Sequence, residues 1–183
     1  THEAVAGGDG LFRLLESLGS LLRRLAVEDR PGAGGLHVAL LAFRGTAAEL
    51  ILPPTRSLVQ TKRRLAGLPG GGGTPLAAGL QMAMATAIQA RARGLTPTIA
   101  LLTDGRGNIA LDGSANRAQA EEDTTGIARV IRSTGLPTLV IDTAARPQTA
   151  LEILARTMNA PYLALPRADA HRLSAVLSGA LGG

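Results

Sequence analysis

Short apolar runs alternate with longer stretches of helical period along most of this chain, and that alternation constrains the fold more than any other feature. The runs are His37–Phe43, Ala48–Leu52, Thr98–Leu102, Thr138–Ile141 and Pro161–Leu165. They are rich in branched residues and nearly continuous in apolar character. Strands covered on both faces of a mostly parallel sheet have this pattern, whereas a half-exposed antiparallel sheet would show strict alternation.

Helical segments fill the intervals. Leu11, Leu14, Leu15, Leu18, Leu22 and Leu25 recur in steps of three and four, forming one apolar stripe. Further helices are expected over Leu58–Leu68, Pro75–Arg93, Asn116–Thr134, Ala150–Met158 and Ala168–Leu181. Pro75 suits a first turn, Asn116 is a polar cap, and Gly135 ends its helix. Gly94 with Pro97, and Gly135 with Pro137, each stand between a helix and the next strand, the rhythm of α/β units with right-handed crossovers. Only Arg44–Ala47 separates the first two runs, too few residues for a crossover helix, so they form a hairpin. The expected class is therefore α/β: a doubly wound, mostly parallel sheet with one antiparallel edge strand and helices on both faces.

The chain has 183 residues, which fits a single domain over 1–183. No apolar run approaches the roughly 20 residues needed to span a bilayer, and no signal-peptide pattern opens the chain, so a soluble protein is expected. Cysteine is absent, which removes disulfides and thiolate chemistry. The formal charge of +5 raises the question of nucleic acid, but the basic residues are dispersed. Lys62-Arg63-Arg64 is the densest cluster and reads best as a solvated helix face. Aromatic residues make up 2%, leaving few platforms for base stacking, so no nucleic-acid partner is expected. His2, His37 and His171 lack ligand spacing. Glu121, Glu122 and Asp123 are expected near a helix start, where they complement the dipole.

Ligands of open α/β sheets bind beyond the carboxyl ends of the strands. Thr98–Gly105 delivers Thr103, Asp104 and Gly105 to such an end, and Gly70–Leu76 runs a glycine loop into a helix. No Gly-Lys-Ser/Thr follows the glycines, and no strand directly precedes them, so neither a P-loop nor a dinucleotide fingerprint is present. The run reads either as a flexible loop into a helix or as a loop that carries the Thr74 hydroxyl towards a cation. Asp104 either caps a turn or joins Thr103 and Thr74 as oxygen donors of the hard type that Mg2+ prefers. Arg106, on the Gly105–Asn108 loop, is a candidate for bidentate pairing with a partner's carboxylate. No Ser–His–acid set or carboxylate pair is spaced for hydrolysis. An enzyme using the glycine run for nucleotide is the weakest reading, since the lysine is missing.

The blocks Val38–Leu50, Leu52–Leu58, Leu68–Leu76 and Leu101–Asn108, followed by Pro137–Thr143 and Pro161–Pro166, resemble the C-terminal domain of magnesium chelatase D subunits. Phe43-Arg-Gly and Gly71-Gly-Gly-Thr-Pro-Leu76 are the more specific parts, and the resemblance covers residues 36–181. It implies a von Willebrand A, integrin I-like domain, part of a longer chain. The implied role is noncatalytic docking within an ATP-driven complex, a ligase that inserts Mg2+ into protoporphyrin IX for chlorophyll or bacteriochlorophyll synthesis. Implied partners are the AAA+ ATPase I subunit and the porphyrin-binding H subunit, with a ring of D subunits formed through the rest of that chain. The implied place is the bacterial cytoplasm, or the plastid stroma of a plant or alga. An adaptor for another AAA+ system, such as cobalt chelatase, is the alternative.

The resemblance also implies Mg2+ at a metal-ion-dependent adhesion site. Thr74 and Asp104 are then ligands, with Gly73, Thr103 and Arg106 meeting the partner and no nucleotide bound. Such sites open with Asp-x-Ser-x-Ser, which this chain lacks. Asp9 stands at about the expected distance, but Leu11 and Arg13 follow it where the serines belong. Residues 1–35 are thus an atypical opening: a degenerate site, a start inside the domain, and a segment unlike the natural one are all open.

Overall fold

The computed structural model describes residues 37–66 and 72–164. The expected helices at Leu11–Leu25 and Ala168–Leu181, together with Asp9, lie outside them. The chain divides into two compact units. One contains, among the described residues, 37–42, 50–66 and Gly72; the other contains 43–49 and 73–164.

Strands β1 (Val38–Arg44) and β2 (Ala47–Thr55) form the expected hairpin as a two-stranded sheet. Gly45 takes the first turn position at φ +64°, a left-handed value that glycine adopts without a Cβ penalty. β2 continues through Pro53 and Pro54, beyond the expected end at Leu52. Proline offers no ladder donor, so such a stretch is tolerated only where the strand edge makes no pairing demand. Helix α1 (Leu58–Ala66) follows, with Thr55 and Ser57 oxygens accepting backbone N–H groups at its start.

The second unit is built on a parallel sheet in the order β3 (Ile99–Thr103), β4 (Thr138–Asp142), β5 (Tyr162–Ala164). Helix α2 (Leu76–Ala92) packs on β3 and on α3 (Arg117–Thr134), and α4 (Thr149–Met158) packs on α3, β4 and β5. Leu76 and Leu80 of α2, Ala128 and Ile131 of α3, and Leu151, Leu154 and Met158 of α4 share one core with Leu101 and Val140. Leu139 and Ile141 point to the opposite side of β4 and are equally shut off from solvent. Both faces of the middle strand are therefore covered, which accounts for its unbroken apolar run.

Asn116 and Gly135 act where they were expected, and Pro75 stands one residue earlier than expected. Asn116 caps α3 by accepting from the Gln119 N–H, and Gly135 ends it at φ +66°. Pro75 precedes α2 as its cap residue, one position before the first turn. Asn159 closes α4 at φ +57°, in a left-handed conformation that a short polar side chain tolerates. No helix among the described residues is long and apolar enough to cross a membrane.

Candidate functional site

Thr103 is the last residue of β3, and the register sets it opposite Asp142, the last residue of β4. The loops that begin at Asp104 and Thr143 therefore leave adjacent strand ends, roughly 4.8 Å apart. The Thr143 N–H donates to the Thr103 carbonyl at 2.9 Å, prolonging the pairing by one bond. Thr103 is buried, and its hydroxyl is engaged within its own turn, donating to the Gly105 carbonyl at 3.3 Å.

A reciprocal pair of hydrogen bonds ties the loop after β3 to the glycine loop before α2. The Thr74 N–H donates to Asn108 Oδ1 at 2.7 Å, and the Asn108 N–H donates to the Thr74 carbonyl at 3.1 Å. Close packing adds to the tie. A Cβ on Gly107 would lie 3.1 Å from Leu76 Cβ, and one on Gly73 would lie 2.6 Å from Ile109 Cγ1 and collide with the Gly45 carbonyl. The hairpin turn, the glycine loop and the post-β3 loop thus meet closely, which explains the glycines at 73 and 107, whereas Gly45 is set by its left-handed φ. Phe43, two residues before Gly45, packs its ring against Gly79 of α2 in the same way. Gly73 is thus taken up by packing, whereas Asp104 and Arg106 are exposed. Among the described residues no hydrogen bond or ion pair engages either side chain.

A small loop beyond Gly107 is braced separately. Asp123 accepts from the Leu111 N–H at 2.8 Å and from Gln119 Nε2 at 2.9 Å. The acidic cluster at 121–123 was expected to serve the helix dipole, but α3 begins at Arg117 and has no acidic residue in its first turn. The cluster lies a turn too far along for that, and Asp123 instead fastens a loop to the helix.

Asp142, to which no sequence motif assigns a role, is fully buried. Its Oδ1 accepts from the Ala144 N–H at 2.9 Å; its Oδ2 accepts from the Gln148 N–H at 2.7 Å and from the Tyr162 hydroxyl at 2.6 Å. Burial, the hydrogen bond to Asp142 and the charge of that carboxylate push the Tyr162 hydroxyl up to about 12. An aspartate at a strand end was the available signal, the same one that singled out Asp104.

The Thr74 hydroxyl and the Asp104 carboxylate engage no other described side chain, and each is an oxygen donor of the hard type that Mg2+ takes. No group of three or more His, Cys, Asp or Glu able to hold a metal occurs among the described residues. These two donors would therefore leave most of an octahedron to water, to a partner, or to residues outside the described range.

Comparisons agree with this architecture. The sequence pattern of the von Willebrand factor type A domain matches residues 4–106. The chain is 66% identical over 179 residues to the magnesium-chelatase 60 kDa subunit of Cereibacter sphaeroides, covering 97% of this chain and 31% of that protein. It is 60% identical over 176 residues to the 60 kDa subunit of Rhodobacter capsulatus, covering 96% of this chain and 31% of that protein. Against the 67 kDa subunit of Chlorobaculum tepidum the identity is 40% over 147 residues, covering 75% of this chain and 24% of that protein. The chain thus spans about a third or less of the curated relatives it matches. The crystal structure of the SpRpn10 VWA domain superposes with a TM-score of 0.62 at 13% identity, covering 87% of this chain and 79% of that one, a likeness of fold alone.

Proposed function

The chain belongs to the von Willebrand factor type A domain family, and on that footing we propose that it is the docking domain of a magnesium chelatase D-type subunit. In this reading it makes and breaks no bond itself. It joins its own subunit to the AAA+ ATPase subunit and the porphyrin-binding subunit of a cytoplasmic bacterial complex, which drives Mg2+, as substrate, into protoporphyrin IX. Identity of 60–66% to two 60 kDa subunits supports the family part of the reading. The observation that carries the docking part is the Thr74–Asn108 pairing, which fixes two loops to each other while Asp104 and Arg106 remain exposed beside them.

Thr74 and Asp104 are the residues that would hold a resident Mg2+ at the docking face. A cation held there supplies positive charge that a partner carboxylate can share. Arg106 adds a forked donor for the same or a neighbouring carboxylate. The buried hydroxyl of Thr103 shapes the turn that presents Asp104. Asp9 remains the candidate for a further carboxylate.

Calorimetric titration of the domain with Mg2+ and Mn2+ tests the metal part, with Thr74→Ala and Asp104→Ala beside the parent. Saturable binding lost in both variants is expected. Binding unchanged in both variants, or absent from the parent, would remove the metal from the reading.

A further inference from the structure

The loop from Thr143 to Gln148 is held more firmly than a surface connection requires. Its three tip residues, Ala145, Arg146 and Pro147, are exposed. Beneath them the fully buried Asp142 carboxylate accepts three hydrogen bonds, from both ends of the loop and from β5. A third constraint comes from the side, since Gln148 Nε2 donates to the Arg146 carbonyl at 3.1 Å. Burying a carboxylate is costly unless every lone pair it offers is well used. Here the use is to fix the path of a six-residue loop and the start of α4.

That loop leaves the sheet beside the Asp104 loop, because β3 and β4 are neighbours and Thr103 pairs with Asp142. Arg146 and Arg106 therefore stand on adjacent rims of the same sheet edge, both exposed. Among the described residues neither guanidinium has an ion-pair partner. Two unpaired guanidinium groups on braced loops match a carboxylate-bearing protein segment, since each fork can take a carboxylate in two parallel bonds. Nucleic acid fits less well, because the chain offers little aromatic surface for stacking.

We propose that the 143–148 loop is a second docking contact beside the Asp104 face. Arg146 binds an acidic segment of the partner protein there, and Asp142, through Tyr162 and the loop amides, is the positioning residue. The proposal rests on the docking reading above and adds the partner's chemistry at a site which that reading does not include.

The test uses the full-length subunit that carries this domain, immobilised, with the ATPase and porphyrin-binding subunits as analytes in a biosensor. Arg146→Glu should slow association about tenfold and flatten its salt dependence, as rim charges do, while Arg146→Lys should stay within about threefold of the parent. Tyr162→Phe should weaken binding about two- to threefold, and adding it to Arg146→Ala should cause no further loss, because both act through one contact. An additive loss would assign Tyr162 and Asp142 to stability alone and overturn their positioning role. If Thr74→Ala and Asp104→Ala abolish binding but Arg146→Glu behaves as the parent, the docking reading stands and this inference falls. If Arg146→Glu weakens binding while the Thr74 and Asp104 variants do not, the arginine contact stands and the shared-metal reading falls. Parent protein that binds neither subunit overturns both. Oligodeoxythymidylate binding that Arg146→Glu removes, with subunit binding unchanged, would reassign the loop to nucleic acid.

Discussion

Thr74 and Asn108, 34 residues apart in sequence, exchange two hydrogen bonds, one to the Asn108 side chain at 2.7 Å and one between backbones at 3.1 Å. Through them the glycine loop and the loop after β3 behave as one surface. Asn108→Ala removes the acceptor from a half-buried Thr74 N–H and should cost about 1–3 kcal/mol of stability. Any cation affinity that depends on Thr74 should fall with it. Chemical denaturation and metal titration of the same variant check both effects.

Glycine substitutions separate packing from surface. Gly73→Ala sets a methyl against the Gly45 carbonyl and Ile109. The first is backbone and cannot turn aside, so the change should cost about 1–3 kcal/mol as overpacking does. Gly105→Ala meets nothing within 4 Å at a negative φ and should stay within about 0.5 kcal/mol of the parent. Urea midpoints of the two variants provide the comparison.

Tyr162 is the chain's single tyrosine, so phenolate absorbance reports on it alone. Its folded-state value is raised from 10.0 to about 12, which means the neutral phenol is favoured in the fold. The stability this contributes is fully present below pH 10. It is lost as the pH climbs through about 12, because the unfolded chain gives up the proton first. Absorbance should therefore titrate near 12 in the native protein and near 10 in denaturant. Tyr162→Phe should flatten the alkaline limb of the stability curve. A native midpoint near 10 would mean that the contact with Asp142 does not persist in solution.

Leu151 of α4 is 1% exposed and lies in the core shared by three helices and the sheet. Leu151→Ala should destabilise by about 2–5 kcal/mol, measured by thermal or urea unfolding. Ile153 on the same helix is 57% exposed, and Ile153→Ala should change little.

Helix and strand boundaries in the second unit were legible because their signals are local. Asn116 caps, Gly135 and Gly94 adopt positive φ, and the apolar run at 138–141 reports a strand covered on both faces. β2 was harder to read, since Pro53 and Pro54 look like a stop until the strand's pairing is known. The hairpin turn could be singled out from its short connection, the glycine loop from its glycines and the post-β3 loop from its place at a strand's carboxyl end. That they touch could not be read, because Gly45, Gly73 and Ile109 are far apart in sequence and share no pattern. Asp142 shows the same limit. It and Asp104 carry one signal, a carboxylate at a strand end, yet Asp142 is buried beneath a tyrosine 20 residues on and Asp104 faces solvent.

Competition tests the docking role most directly. The domain, added in excess to a chelatase assay assembled from the full-length D-type, ATPase and porphyrin-binding subunits, should inhibit Mg2+ insertion in proportion to its concentration. Asp104→Ala and Thr74→Ala versions of the same domain should inhibit far less. Undiminished chelatase activity at saturating domain, with the domain shown to be folded, would contradict the docking role.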